Sequence, residues 1–247
     1  MALMEITYFS DSLDMEQKMT VLLPETRQTD IPVLYLLHGM GGSHSSWLRK
    51  SIIERLIKDL NLALVMPSTD LAYYTNTTYG MNYFDAIALE LPEKIHQYFS
   101  QLSTKKQKNF ICGFSMGGYG ALKIGLKTDK FGYIASLSGA FDIKNETLNA
   151  MKDENYWQGI FGDLDPFEEL VNVAKTKKNQ PQIYAWCGKQ DFLFKANEQM
   201  MAKLEAFNYP LTFEITEGSH EWYYWDKYLE NVLSWLPVNY TPEERLS

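Results

Sequence analysis

Residues 110–120 read "FICGFSMGGYG", with Ser115 set between Gly113 and Gly117. The pattern G-x-S-x-G alone is weak, arising by chance in roughly one chain in ten of this length. Its context decides the reading. Upstream, "NFICGF" is a short apolar run of the kind that fills a buried strand, and downstream "MGGYGALKIGLKT" carries helical spacing. A serine on so tight a strand-to-helix turn takes sparsely populated backbone angles, and its neighbours two residues away must be tiny. Gly113 and Gly117 meet that need, and Gly118 lets the helix start press closely on the sheet. The turn directs Oγ outward at the positive end of a helix, where developing negative charge is favoured.

Strands and helices alternate on both sides of this turn. "EITYFSDSLDMEQKMTVLLP" reads as two antiparallel strands around a polar turn, and "IPVLYLLHG" as a strand covered on both faces. Ile52, Ile53, Leu56, Ile57 and Leu60 follow at helical spacing, then "LALVMP" as a second buried strand. The segment 83–99 is helical, with Pro92 kinking or restarting it. After the turn come strand "YIASLSG", strand "QIYAWCG", helix "LFKANEQMMAKLEAF" and strand "LTFEIT". A last helix places Trp222, Trp225, Leu229, Val232 and Leu236 on one face. Parallel neighbours need crossover connections, so the expected fold class is α/β: a mostly parallel sheet of about eight strands with helices on both faces. No Pro/Gly/Ser-rich linker interrupts 1–247, which reads as one domain. The long interruption at 141–180 is either a lid over the active edge or a surface excursion. Asp165-Pro166 with Glu168 marks a helix start inside it.

In such sheets ligands bind at the carboxyl ends of the strands, and the chemistry has to be found there. A serine hydroxyl is a weak nucleophile, needing a base and an acid that orients the base, in the chain order serine, acid, histidine. Of His38, His44, His96 and His220, only His220 follows Ser115, in the loop "EGSHEWYYW" after "LTFEIT". Asp191, just after "QIYAWCG", is the candidate acid, with Asp142 the named rival. Helix caps or turns account better for Asp142, Asp153, Asp163 and Asp165, whereas Asp191 is itself placed to cap the helix near Leu193. An oxyanion hole needs two backbone N–H groups. One follows the nucleophile, at Met116; the other is expected in "LLHGMGGSHSSW", at Met40 or else Gly41. His38 reads as a brace of that loop. Trp47, Trp157, Phe161, Tyr223 and Tyr224 lie in nearby segments and are read either as walls of a compact acyl pocket or as core aromatics. Because the base has to be neutral, activity is expected to fall on acidification through the ordinary histidine range, around pH ~6.5.

Composition narrows the alternatives. Hydrophobic residues make up 45% of the 247 and the net charge is −8, with no long basic run. Nucleic acid and anionic membranes are therefore not expected partners. The N-terminal stretch has acidic residues and no apolar h-region, and no apolar run approaches the ~20 residues of a membrane span. A cytoplasmic location is the expectation, and a homo-oligomer is left open.

"YLLHGMGG", "FSMGGYGALK", "AWCGKQDF" and "SHEWYYW", in this order and over the whole length, resemble the esterase D-like branch of the α/β-hydrolases, and within it the streptococcal and lactococcal tributyrin esterases. The resemblance implies a carboxylesterase acting on small-molecule esters of short acyl chains, with Ser115, Asp191 and His220 as triad and no metal or organic cofactor. S-formylglutathione hydrolases, feruloyl and acetyl carbohydrate esterases and acyltransferases share the scaffold, which leaves the substrate open. A non-catalytic binding module would normally lack a triad member, and none is missing. Relatives commonly carry Leu or His where this chain has Phe114. The family's strand order also sets one strand between those ending near Cys112 and Cys187, so both thiols are expected to be free and buried.

Overall fold

The apolar run after Pro32 becomes β3 (Val33–Leu37), in which every residue is buried. Val33, Tyr35 and Leu37 enter the core on one side of the sheet, and Leu34 and Leu36 enter the core on the other. This is the period-2 alternation of a strand covered on both faces. The computed structural model describes residues 1–242.

Ahead of β3, β1 (Ala2–Ser10) and β2 (Met15–Leu23) form an antiparallel hairpin. After it come α1 (Ser46–Lys50), α2 (Ile53–Ile57), β4 (Ala63–Pro67), α3 (Tyr83–Asp85) and α4 (Leu91–Tyr98). Next are β5 (Asn109–Phe114), α5 (Met116–Lys127), β6 (Tyr133–Leu137), α6 (Glu146–Met151), α7 (Glu154–Phe161) and α8 (Pro166–Thr176). The chain continues through β7 (Gln182–Gly188), α9 (Phe194–Ala206) and β8 (Leu211–Thr216) to α10 (Trp222–Trp235). The sheet order is β1-β2-β4-β3-β5-β6-β7-β8. β3 to β8 are mutually parallel, and β2 joins β4 antiparallel. This is the α/β-hydrolase arrangement. β6 lies between β5 and β7, and Cys112 and Cys187 are free and buried. Burial pushes both thiols up, so they stay protonated.

Two helical readings are refined. The helix expected over Ile52–Leu60 is only the five residues of α2, with the separate short α1 ahead of it. Ser51 Oγ donates to Trp47 O at 2.6 Å and Ile52 N donates to Asp226 Oδ1 of α10 at 2.9 Å, so the chain turns at that point. The helical stretch ending near Tyr98 does restart at Pro92. Between α3 and α4, Ala86–Glu90 is wound as a π-helix, and Leu91 N donates to Ala86 O five residues back. Proline cannot donate to the ladder, and wider winding just ahead of it absorbs the defect.

The 141–180 segment is mostly helical. Asp165 caps α8 by accepting from Phe167 N at 3.0 Å and Glu168 N at 3.3 Å, as the sequence predicts. Glu169 ties the segment to α5 through Lys127 at 2.6 Å and Lys123 at 3.2 Å. Lys123 is buried, and that burial pushes its ammonium down to about 8 despite the neighbouring carboxylate. Among the described residues, no helix is long and apolar enough to cross a membrane.

Candidate active site

Ser115 sits between β5 and α5 at φ +54°, ψ −121°. A non-glycine residue in that region costs of order 1–3 kcal/mol and persists only where the surroundings over-determine it. Here they do. Ser115 N donates to Leu137 O at 2.9 Å, and Ser115 O accepts from Ala140 N at 3.0 Å and Tyr119 N at 3.1 Å. The tightness also explains the glycines. A Cβ at Gly113 would lie 2.2 Å from Gly117 O, and one at Gly117 would lie 2.4 Å from Leu37 O. At Gly118 it would approach Ser136 Oγ to 2.8 Å.

His220 reaches this serine from the loop between β8 and α10. Its Nε2 lies 3.0 Å from Ser115 Oγ, and its Nδ1 lies 2.9 Å and 3.1 Å from the two Asp191 oxygens. With Nδ1–H donating to the carboxylate, Nε2 is left to accept the serine proton. Asp191 is buried, and its Oδ1 also accepts from Leu193 N at 2.8 Å. The carboxylate therefore turns the chain toward α9 and faces the histidine at once. Asp142 accepts from Lys144 N, Asp153 caps α7 and Asp163 accepts from Gln158 Nε2. None of these rivals touches His220.

The sequence reading overlooked Gln190. Its N donates to Gly218 O at 2.9 Å while Gly218 N donates to its side chain at 2.7 Å. These reciprocal bonds fasten the loop of the acid to the loop of the histidine. The imidazole is further flanked by Phe192 at 4.6 Å and Trp225 at 4.9 Å between ring centroids. Trp225 is fixed in turn by its Nε1–H donating to Ser138 Oγ at 3.2 Å.

Met116 is the first residue of α5, a position whose N–H has no partner within the helix. Opposite it, Gly42 N donates to Gly39 O at 3.0 Å, closing a turn with Met40 and Gly41 at its corner. Gly41 stands at φ +74°, a region that suits glycine. His38 braces this loop. Its Nδ1–H donates to Gly39 O at 2.8 Å, its Nε2 accepts from Thr69 N at 3.0 Å, and Tyr74 Oη donates to its carbonyl at 2.9 Å.

Burial pushes the His38 imidazole down to about 4, so it stays neutral where an exposed histidine charges. The sign follows from linkage. Between pH ~6.5 and ~4 the unfolded chain binds this proton and the folded chain does not, so stability falls as pH falls through that window. The His38 contribution is expected to reach about 3 kcal/mol by pH 4. Denaturant unfolding at pH 7 and pH 4.5 measures it, and the difference should shrink in His38→Gln.

In front of Ser115 opens a cavity of about 670 Å³, bordered by Met40, Gly41, Phe114, His220 and Trp225 among others. None of Trp47, Trp157, Phe161, Tyr223 and Tyr224 borders it. Trp47 is buried one layer behind, edge-on to Phe114 with 5.2 Å between ring centroids and its Nε1–H donating to Leu37 O. Trp157 and Phe161 pack edge-on against Tyr73 in the core, at 5.2 Å and 5.7 Å. Tyr224 stacks on Trp186, and Tyr223 is 69% exposed. The wall is built instead from Leu71, Phe114, Leu148, Met151, Phe192 and Trp222. Among the described residues, no three His, Cys, Asp or Glu side chains gather as a metal site requires.

A family model described as "Putative esterase" matches residues 10–236. The chain belongs to this esterase family. An acetyl esterase of Caldicellulosiruptor saccharolyticus is 32% identical over 262 residues, covering 96% of this chain and 98% of its own length. The solved structure of the fluorophosphonate-binding serine hydrolase F of Staphylococcus aureus has a TM-score of 0.85 to the esterase at 34% identity, covering 95% of this chain and 98% of that one. An S-formylglutathione hydrolase of the same organism gives 0.84, also at 34% identity, with 95% and 98% covered. The esterase is a carboxylic ester hydrolase of the serine class, like these relatives.

Proposed function

We propose that the esterase hydrolyses short-chain acyl esters, acetyl to butyryl, through an acyl-enzyme on Ser115. The observation that carries this reading is the unbroken relay from Ser115 Oγ through His220 to the buried Asp191. Ser115 Oγ bonds to the ester carbonyl carbon while its proton passes to His220 Nε2. Asp191 holds the tautomer and stabilises the imidazolium that results. The carbonyl oxygen, now negative, lies toward the amides of Met40 and Met116, each such donor being worth ~3 kcal/mol. The carbon–oxygen bond to the alcohol then breaks, and the alkoxide takes the proton from His220. Water repeats the sequence: it gives a proton to Nε2, attacks the acyl carbon and releases the acid and free Ser115.

Acyl-chain preference rests on the family resemblance and on the relative that is an acetyl esterase. The cavity supports a second reading. About 670 Å³ is far more than a four-carbon acyl chain fills and lies within the range of sites for drug-sized ligands. A bulky leaving group would occupy the remainder, as in thioester hydrolysis of the S-formylglutathione type. The 141–180 segment contributes Leu148 and Met151 to the wall, and we read it as cover over bound substrate.

An acyl series of p-nitrophenyl esters from acetate to dodecanoate, run beside matched thioesters, tests both readings. Turnover is expected to peak between acetate and butyrate, and a maximum at dodecanoate would overturn the short-acyl reading. A fluorophosphonate should label wild type but not Ser115→Ala.

A further inference from the structure

The cavity wall is apolar apart from Ser115, His220, the proposed oxyanion loop, Ser46 and three charged side chains. Two of these are lysines on opposite segments: Lys50 ends α1, and Lys152 follows α6 in the 141–180 segment. Each is laid over an aromatic ring. Lys50 Nζ lies 5.5 Å from the centroid of the cavity-lining Trp222, and Lys152 Nζ lies 5.0 Å from that of Tyr156. A cation–π contact of this kind limits where a flexible lysine head can travel.

Neither ammonium has a carboxylate within 4.0 Å among the described residues, in a chain with 31 acidic and 23 basic residues. Two lysines of neighbouring segments are paired: Lys144 holds Asp165 at 2.8 Å, and Lys58 is 3.9 Å from Asp59. The third charged group, Glu221, follows His220 directly and is the one acid on the wall. A net positive lip on a protein of net charge −8 gives an anion a local reason to bind where the overall field repels it.

We propose that the esterase selects substrates carrying a carboxylate at the end remote from the scissile bond, received between Lys50 and Lys152. The proposal rests on the acyl-enzyme reading above and names the substrate class for it. Lysines act as point charges that grip an anion without fixing its plane, so selectivity should be for charge rather than for one particular acid. Pairs at a solvent-accessible lip are individually weak, and together the two are expected to give a preference of about tenfold in kcat/KM.

Two matched pairs of esters test this and show on which side the charge is carried. Phenyl acetate against 3-carboxyphenyl acetate places it on the alcohol; methyl butyrate against monomethyl succinate places it on the acyl group. Rates are normalised to alkaline hydrolysis of each ester and followed by pH-stat. A preference of about tenfold for the anionic member of either pair is expected, falling toward unity in Lys50→Gln/Lys152→Gln. The ratio cancels any loss of folded enzyme. An anionic-to-neutral ratio of one or less in both pairs, or a ratio untouched by the double substitution, overturns the proposal. Failure of the underlying reading looks different: the wild type would then turn over neither neutral ester.

Discussion

Ser115→Ala is expected to lower kcat for p-nitrophenyl acetate by about a million-fold, equivalent to about 8 kcal/mol of transition-state stabilisation. On the proposed mechanism the substitution removes the atom that forms the acyl bond and nothing else of consequence. The bonds holding the elbow run through the Ser115 N–H and C=O, which alanine retains. The strained backbone angles also penalise serine and alanine alike. The variant should therefore fold as the wild type does, and thermal unfolding checks that. His220→Ala should cost about as much, and the double variant little more, since a nucleophile without its base is nearly as inert as no nucleophile. If Ser115→Ala kept more than one part in a hundred of the activity, the serine would not be the attacking group.

Gly117→Ala should be among the most damaging small substitutions in the fold. Its Cβ would stand 2.4 Å from Leu37 O and 2.7 Å from His38 O, both main-chain atoms of β3 and the loop that follows it. A side chain at that spot could rotate aside, whereas these carbonyls are fixed by the sheet. Either α5 moves away from β3 or the turn at Met40 moves, and both disturb the proposed oxyanion loop. A loss of about 4 kcal/mol or more is expected, with lower soluble yield and a marked drop in Tm. Gly41→Ala makes a sharp control. No atom lies within 4 Å of a Cβ there, and only the φ of +74° penalises it, at about 1–2 kcal/mol. Equal losses in the two variants would mean that the close approach of helix to strand is unimportant.

Much of this arrangement was legible in the amino-acid sequence because it follows from rules that act locally. The buried runs at 33–37 and 109–114 are too apolar and too short to be anything but covered strands. Topology did the rest, by requiring chemistry at the strand ends and leaving one histidine downstream of Ser115. The cavity wall was not legible. Its parts come from the loop after β4, the helices between β6 and β7, the loop after β7 and the start of α10, and no periodicity links Leu71 to Met151 or Phe192. Two clues were nevertheless present. Trp157 and Phe161 are four residues apart on one helix, the spacing of a core-facing pair, and both pack on Tyr73. Successive residues on a helix point about 100° apart, so Trp222 at the cavity puts Tyr223 toward solvent.

The bonds between Gln190 and Gly218 have a mechanical consequence. A Cβ at Gly188 would meet Gly218 O at 2.2 Å, so the two loops are in contact as well as hydrogen-bonded. The proposed acid and base are thus locked together in one unit, carried by β7 and β8. The nucleophile belongs to the other, carried by β5 and α5 and stitched to β6. Beyond the β6–β7 pairing and the Ser138 N–H that donates to Trp186 O at 2.7 Å, the two units meet at the 3.0 Å contact between Ser115 Oγ and His220 Nε2 and at the Trp225–Ser138 bond. On the proposed mechanism the proton crosses the Ser115–His220 contact in each turnover, so the transfer runs between two units that the sheet holds in register.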